Sequence, residues 1–333
     1  MVRALRVFVT GSSELPPAHT AAAEELGRRL MEESGFVLVT GGLGSKGPGK
    51  PTALDKIVAQ AAATTLRSTP EAVSTRIVTM LPESDVSDFE RFSLGTVIRV
   101  SYAGLRTRRY SMVLTSDAVV AVHGGGATRE VIDLAYVAGK PLLPLPATGG
   151  SALESWNRYE PELVKRLHLS PDEVAALKDD SAPERLVSVC LAVLQRTLRP
   201  RCFIAMPFAS HPLANAFETM RSVAEEHGYQ VIRVDQESFT GNIVEAIWES
   251  IRHCDLVIAD LTDHKPNVYY EMGISHALGK PTLLTVLSRD GNVPDDIPFD
   301  IKAQRVIPYG TVQSLRGQLR DLLPTVARPQ HAP

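Results

Sequence analysis

The chain has little of what marks an unusual environment. Its 333 residues hold three cysteines, Cys190, Cys202 and Cys254, and no two share a Cys-x-x-Cys spacing. That excludes a disulfide framework, leaves no thiolate cage for a metal, and points to a reducing, cytoplasmic setting. Neither sign of charge is in excess: 35 Lys and Arg stand against 38 Asp and Glu, a net charge of −3. No basic surplus calls for a nucleic acid or an anionic membrane as partner. Long hydrophobic runs are missing as well. The longest, such as Ala118–Val122, are strand-sized and far short of the ~20 residues of a membrane helix. The first six residues lead straight into a strand pattern without the layout of a secretory leader.

What is present is an ordinary soluble composition, 44% hydrophobic and 22% charged, arranged twice in the same rhythm. In the first half, apolar runs at 6–10, 36–40, 76–81, 117–122 and 141–145 read as five strands. Helical spacing lies between them, at Ala22, Leu26 and Leu30 and over 53–66. Runs apolar throughout suit parallel strands covered on both faces. Ser170-Pro171-Asp172-Glu173 is a helix start with Ser170 as N-cap, and 182–198 is an amphipathic helix stopped by Arg199-Pro200. Two domains are therefore expected, 1–198 and 199–333. The pattern restarts with strands at 201–206, 229–234, 256–259 and 282–286, a further one at 305–308, and helices at 213–227 and 268–278. Ile243, Ile247 and Ile251 are expected to form the buried stripe of the helix between the second and third strands of this half, with Trp248 and Met206 in the core. The expected fold class is α/β: two Rossmann-like or flavodoxin-like domains, each a mostly parallel sheet with helices on both faces.

Ligands of such sheets dock beyond the carboxyl ends of the strands. Three glycine turns fall there: Gly11-Ser12-Ser13, Gly41-Gly42-Leu43-Gly44 and Gly124-Gly125-Gly126-Ala127-Thr128. Glycine is common in any strand-to-helix loop, but three turns at corresponding strand ends favour a phosphate pocket built on helix N-termini. His123-Gly-Gly-Gly-Ala-Thr-Arg-Glu130 resembles the PGGxGTxxE signature of the Lonely Guy phosphoribohydrolases, members of the SLOG superfamily. Arg108-Arg109-Tyr110-Ser111-Met112 resembles the RKxxM helix of that family, and residues 7–13 and 39–42 resemble its first two strand ends. The resemblance implies a nucleotide-binding set of Gly11, Ser12, Ser13, Gly41, Gly42, Arg108, Arg109, Gly124, Gly125, Gly126, Thr128 and Glu130. The signature's Pro is His123 here, its later Gly is Ala127, and its Glu falls on Val131, one place after Glu130. One residue turns a helical side chain by ~100°, so the expectation is binding rather than cleavage in this half.

In the second half, Asp260 closes the third strand. Asn267 is placed as a helix N-cap and Glu271 in the first turn, where the helix dipole alone would favour a carboxylate. Residues 203–208, 255–262 and 267–273, with 277–281, resemble the nucleoside 2-deoxyribosyltransferases, whose layout is shared by TIR domains. By that resemblance Glu271 is the catalytic nucleophile, and Met206, Pro207, Asp235, Asp260, Asn267 and Tyr269 line the substrate. Asp235, with Glu237 and Gly241-Asn242, also resembles the acid-then-glycine loop of TIR domains. A carboxylate suits the chemistry, because cleaving a ribose–base bond passes through an oxocarbenium-like state that it stabilises or traps.

Together these readings imply a homo-oligomeric effector that senses a nucleotide-derived ligand in one half. It would cleave the N-glycosidic bond of NAD, a nucleoside or a nucleotide in the other, with NAD or nucleotide as ligand and no further cofactor. Two alternatives stay open: a salvage deoxyribosyltransferase or phosphoribohydrolase, and a non-catalytic nucleotide-binding protein.

Overall fold

The computed structural model describes residues 4–33, 35–45, 47, 49–67, 69–83, 90–100, 105–207, 215–232 and 243–326. Close contacts divide them into two compact units that part between Leu198 and Arg199. Among the described residues, no helix is long and apolar enough to cross a membrane.

The first unit is built on six strands: β1 (Leu5–Gly11), β2 (Phe36–Thr40), β3 (Ile77–Pro82), β4 (Thr96–Val100), β5 (Ala118–Val122) and β6 (Leu142–Leu145). Their order in the sheet is β4-β3-β2-β1-β5-β6, and every neighbouring pair is parallel. Parallel neighbours need crossovers, and the crossover helices cover both faces. Hence β2, β3, β5 and β6 are buried along their whole length. The edge strand β4 was not foreseen in the sequence, and four of its five residues are exposed. The capping box at Ser170 is present: its hydroxyl accepts from Glu173 N–H at 3.2 Å, and Glu173 accepts from Ser170 N–H at 2.9 Å.

The second unit holds β7 (Arg201–Ala205), β8 (Gln230–Ile232), β9 (Leu256–Asp260), β10 (Thr282–Leu287) and β11 (Val306–Tyr309), ordered β11-β10-β9-β7-β8. These pairs are parallel too, which gives the flavodoxin-like order 2-1-3-4-5. One core forms on each face of this sheet. Both units are thus α/β, mostly parallel and Rossmann-like in topology.

Two packing expectations change. Ile243 is 49% exposed, and the buried stripe of the helix Ile243–His253 is Ala246, Ile247 and Ile251. Trp248 is 40% exposed and donates its indole N–H to Tyr270 Oη at 3.3 Å, so it is not a core residue. Met206 is buried, as expected.

Candidate functional site

In the first unit the strand order reverses between β1 and β5, the place where a crevice opens in such sheets. The third glycine turn leaves β5 there. His123 and Gly124 take positive φ angles of 54° and 91°. A Cβ on Gly124 would stand 2.3 Å from Thr128 Oγ1, so only glycine lets the chain double back onto its own helix. Thr128 in turn donates to the Gly11 carbonyl at 3.0 Å and fastens the helix to the end of β1. Gly125 is the N-cap of the helix Gly126–Val137. Nothing lies within 4 Å of where a Cβ would stand on Gly125 or Gly126, so the helix N-terminus is open to an incoming anion.

The neighbouring groups hold this turn. His123 N–H donates to Thr148 Oγ1 at 2.6 Å, and its ring Nδ1 lies 2.6 Å from the Thr148 carbonyl, which makes Nδ1 the protonated nitrogen. The His19 ring sits 5.4 Å away. Burial, with His123 next, holds the His19 imidazole below its ordinary value. Ser12 and Ser13 are half-buried at the end of β1. The Ser12 hydroxyl is already engaged, donating to the Glu14 carbonyl at 2.7 Å and accepting from Glu14 N–H at 3.2 Å.

The second glycine turn is different. Leu43 N–H donates to Asp55 Oδ2 at 3.1 Å, Gly41 N–H also donates to the Asp55 carboxylate, and Gly42 N–H reaches Thr40 Oγ1 at 3.4 Å. A carboxylate from the following helix, Leu54–Thr65, takes the N–H groups of Gly41 and Leu43, and Thr40 takes that of Gly42, where a phosphate was foreseen. Burial pushes the Asp55 carboxyl above its ordinary value, against the pull of those N–H groups and of Arg108 and Arg91. Arg108 is 6% exposed and donates to the carbonyls of Gly41 and, at 3.2 Å, Met80. It ties the ends of β2 and β3 together, where the sequence suggested a ligand contact.

Arg109, one residue on, pairs with Glu130 at 2.8 Å, and Arg106 reaches the same carboxylate at 2.5 Å. The hydrogen bond from Arg109 chiefly holds the Glu130 carboxyl below its ordinary value. Val131, at the signature's Glu position, is fully buried.

In the second unit the reversal lies between β7 and β9. Met206 and Pro207 follow β7 and are buried. Asp260, expected against substrate, is 0% exposed and faces inward. It accepts from Thr285 Oγ1 and Tyr309 Oη, both at 2.7 Å, and from Thr262 N–H at 3.1 Å. It clamps β9, β10 and β11 from inside. Asn267 is not the N-cap: the helix runs Pro266–Ala277 with Lys265 as cap, because Pro takes the first helical position. Glu271 therefore lies in the second turn and is 3% exposed. Tyr269, two residues before it, projects ~200° away around the helix. Its hydroxyl meets His264 Nδ1 at 2.8 Å, and His264 Nε2 pairs with Asp296 at 3.1 Å. Tyr269 and Glu271 thus serve opposite flanks of one helix. Asp235, Glu237, Gly241 and Asn242 lie outside the described residues.

Comparison with known proteins gives the family. The model of the SLOG cluster4 family matches residues 4–176, more than half of the chain. The chain belongs to the SLOG cluster4 family. Among solved structures, the structural-genomics target TM1055 is 19% identical, with a TM-score of 0.38 over 58% of this chain and 99% of its own. A molybdenum cofactor binding protein from Rippkaea orientalis is 25% identical, with a TM-score of 0.34 over 43% of this chain and 76% of its own. The CMP N-glycosidase BcmB from Clostridium botulinum is 21% identical, with a TM-score of 0.30 over 37% of this chain and 98% of its own. Among curated proteins none matches.

In this SLOG unit, Asp55 is the residue that sequence reasoning missed. Its only signal was an acid in the first turn of a helix after a glycine loop, which reads equally as a dipole partner. In the second unit the His264–Asp296 contact was equally hidden, because it joins two loops far apart in sequence.

Proposed function

We propose that the protein is a nucleotide-responsive effector. Its SLOG unit binds a nucleotide-derived ligand at the open turn Gly124–Gly126, and its second unit cleaves the N-glycosidic bond of NAD, a nucleoside or a nucleotide through Glu271. The observation that carries the reading is the contrast between the two carboxylates. Glu130, beside the nucleotide turn, is neutralised by Arg106 and Arg109, which suits holding a ligand rather than attacking one. Glu271 is buried on the helix that follows β9, beside the reversal of strand order. A carboxylate withdrawn from water stabilises a developing oxocarbenium ion strongly, because little solvent screens it. Sensing and cleavage in separate units of one chain make an effector more consistent than a salvage enzyme with two catalytic sites.

The test uses the full-length protein with NAD, nucleosides and nucleoside monophosphates, followed by chromatography of free base. The expected result is base release that rises when a second, uncleaved nucleotide is added. Base release from AMP that persists in Glu271→Gln would place cleavage in the SLOG unit and overturn the assignment. Silence with every substrate would leave a binding protein.

A further inference from the structure

The helix Ile243–His253 of the second unit buries one stripe and leaves another in water. On the outer stripe Val244 and Trp248 are 43% and 40% exposed. They stand four residues apart, so their side chains are neighbours on the helix surface. Tyr270, on the helix Pro266–Ala277, accepts from the Trp248 indole N–H and is itself 51% exposed. Single exposed apolar side chains are ordinary, but here two aromatic rings and an aliphatic one form a continuous strip. Trp and Tyr in such a strip are the side chains that carry most of the energy of a protein contact.

The charges beside this strip are ordered. Glu245 and Arg252 are both exposed and flank Trp248. They lie ~10.5 Å apart along the helix axis and within ~20° of each other around it. Arg252 reaches Glu249 at 3.8 Å, the outer limit of an ion pair. Among the described residues Glu245 has no cationic partner. A second copy of the helix, laid antiparallel about a two-fold axis between Trp248 and Glu249, sets Glu245 level with the partner's Arg252. Symmetry sets Arg252 level with the partner's Glu245, and the two Trp248 side chains meet at the axis. Opposite charges at equal distances from one aromatic centre are what an isologous contact needs, because the surface must complement itself. An anionic membrane or a nucleic acid would meet Glu245 and Glu249 as like charges.

We propose that the outer stripe of the helix Ile243–His253, with Tyr270, is a self-association surface that docks a second copy of this chain. Trp248 and Tyr270 form its apolar centre, and Glu245 and Arg252 fix the antiparallel register. One helix and one added ring make a small contact, so the association is reversible and depends on protein concentration. The contact needs neither ligand nor catalysis, so it stands apart from the cleavage assigned to Glu271.

Sedimentation equilibrium on the full-length protein across the micromolar range tests this. The average mass of the wild type is expected to rise toward twice its dilute value, and Trp248→Glu is expected to remove that rise. Glu245→Arg and Arg252→Glu each set like charges level with one another twice across the axis. Each alone is expected to weaken association at least about tenfold. The two together reverse both signs and are expected to restore it. All three positions are exposed, so the variants keep their fold, and rescue by the double variant reads charge pairing rather than stability. A wild-type mass that does not rise, a rise that survives Trp248→Glu, or a double variant as weak as the single ones overturns the surface.

Discussion

Arg109 and Glu130 close an ion pair at 2.8 Å while the adjacent Arg108 turns inward to two backbone carbonyls. Neighbouring guanidinium groups on one helix therefore have opposite duties. Arg108→Ala is expected to lower stability first, because it strips a donor from the carbonyls of Gly41 and Met80 at about 1–3 kcal/mol for each buried group left unpaired. Arg109→Ala, at a half-buried position, is expected to leave the melting temperature within a few degrees and to weaken nucleotide binding. Thermal melts of both variants, paired with calorimetry, read the two effects separately.

The glycines of the third turn separate in the same way. Gly124→Ala would push a methyl into Thr128 at a positive φ, and is expected to cost roughly 1–3 kcal/mol of stability. Gly126→Ala has open space and an ordinary φ. Its fold should hold, and a methyl at the mouth of the helix N-terminus should weaken nucleotide binding. If Gly126→Ala binds as tightly as wild type, the ligand does not sit on this turn.

Glu271→Gln is expected to keep the fold and abolish base release, since similar volume preserves packing while loss of a key transition-state group costs ~10²–10³ or more in rate. Asp260→Ala is the contrasting case. It removes the acceptor shared by the Thr285 and Tyr309 hydroxyls, at about 1–3 kcal/mol, and should appear as a lower melting temperature. An Asp260→Ala protein of full thermal stability would remove the internal clamp.

The His19 imidazole is held below its ordinary value by burial and by His123. A folded-state value below the unfolded one means that the unfolded chain binds the proton more readily. This contribution to stability is therefore fully present above the unfolded value of 6.5 and is lost as pH falls below it and through the lower folded value. Wild type should lose melting temperature between pH 7 and pH 5 more steeply than His19→Gln. Parallel pH profiles for the two proteins would contradict this.

Much of this architecture is readable in the sequence because parallel, doubly covered strands are apolar without interruption. Strands β2, β5 and β9 announce themselves for that reason. Strand β4 does not: its Thr96 and Arg99 break the run, and an edge needs no second covered face. The helix Ile243–His253 shows the limit of periodicity, since spacing alone cannot say whether Ile243 or Ala246 completes the stripe. The glycine turns were legible as turns but not as open or closed. That depended on Asp55, a side chain one helix away, and on whether its carboxylate or a ligand takes the N–H groups. Asp260 likewise sits at a strand end, where ligands dock, and its bonds from Thr262, Thr285 and Tyr309 show that it is held inside. All three cysteines are buried, and burial pushes the Cys190 thiol up to about 12 and the Cys254 thiol up to about 11.

The central pairing of the first sheet joins Val7 to Ala118 and Gly11 to Val122. Its oldest strand on the ribosome thus lies against one synthesised more than a hundred residues later. Until β5 has emerged, β1 has β2 on one side and an empty edge on the other, and the turn that would hold a ligand has no floor. Such non-local closure makes folding slow relative to helical domains of similar size. During that interval the unpaired edge of β1 is open to pairing with the wrong strand.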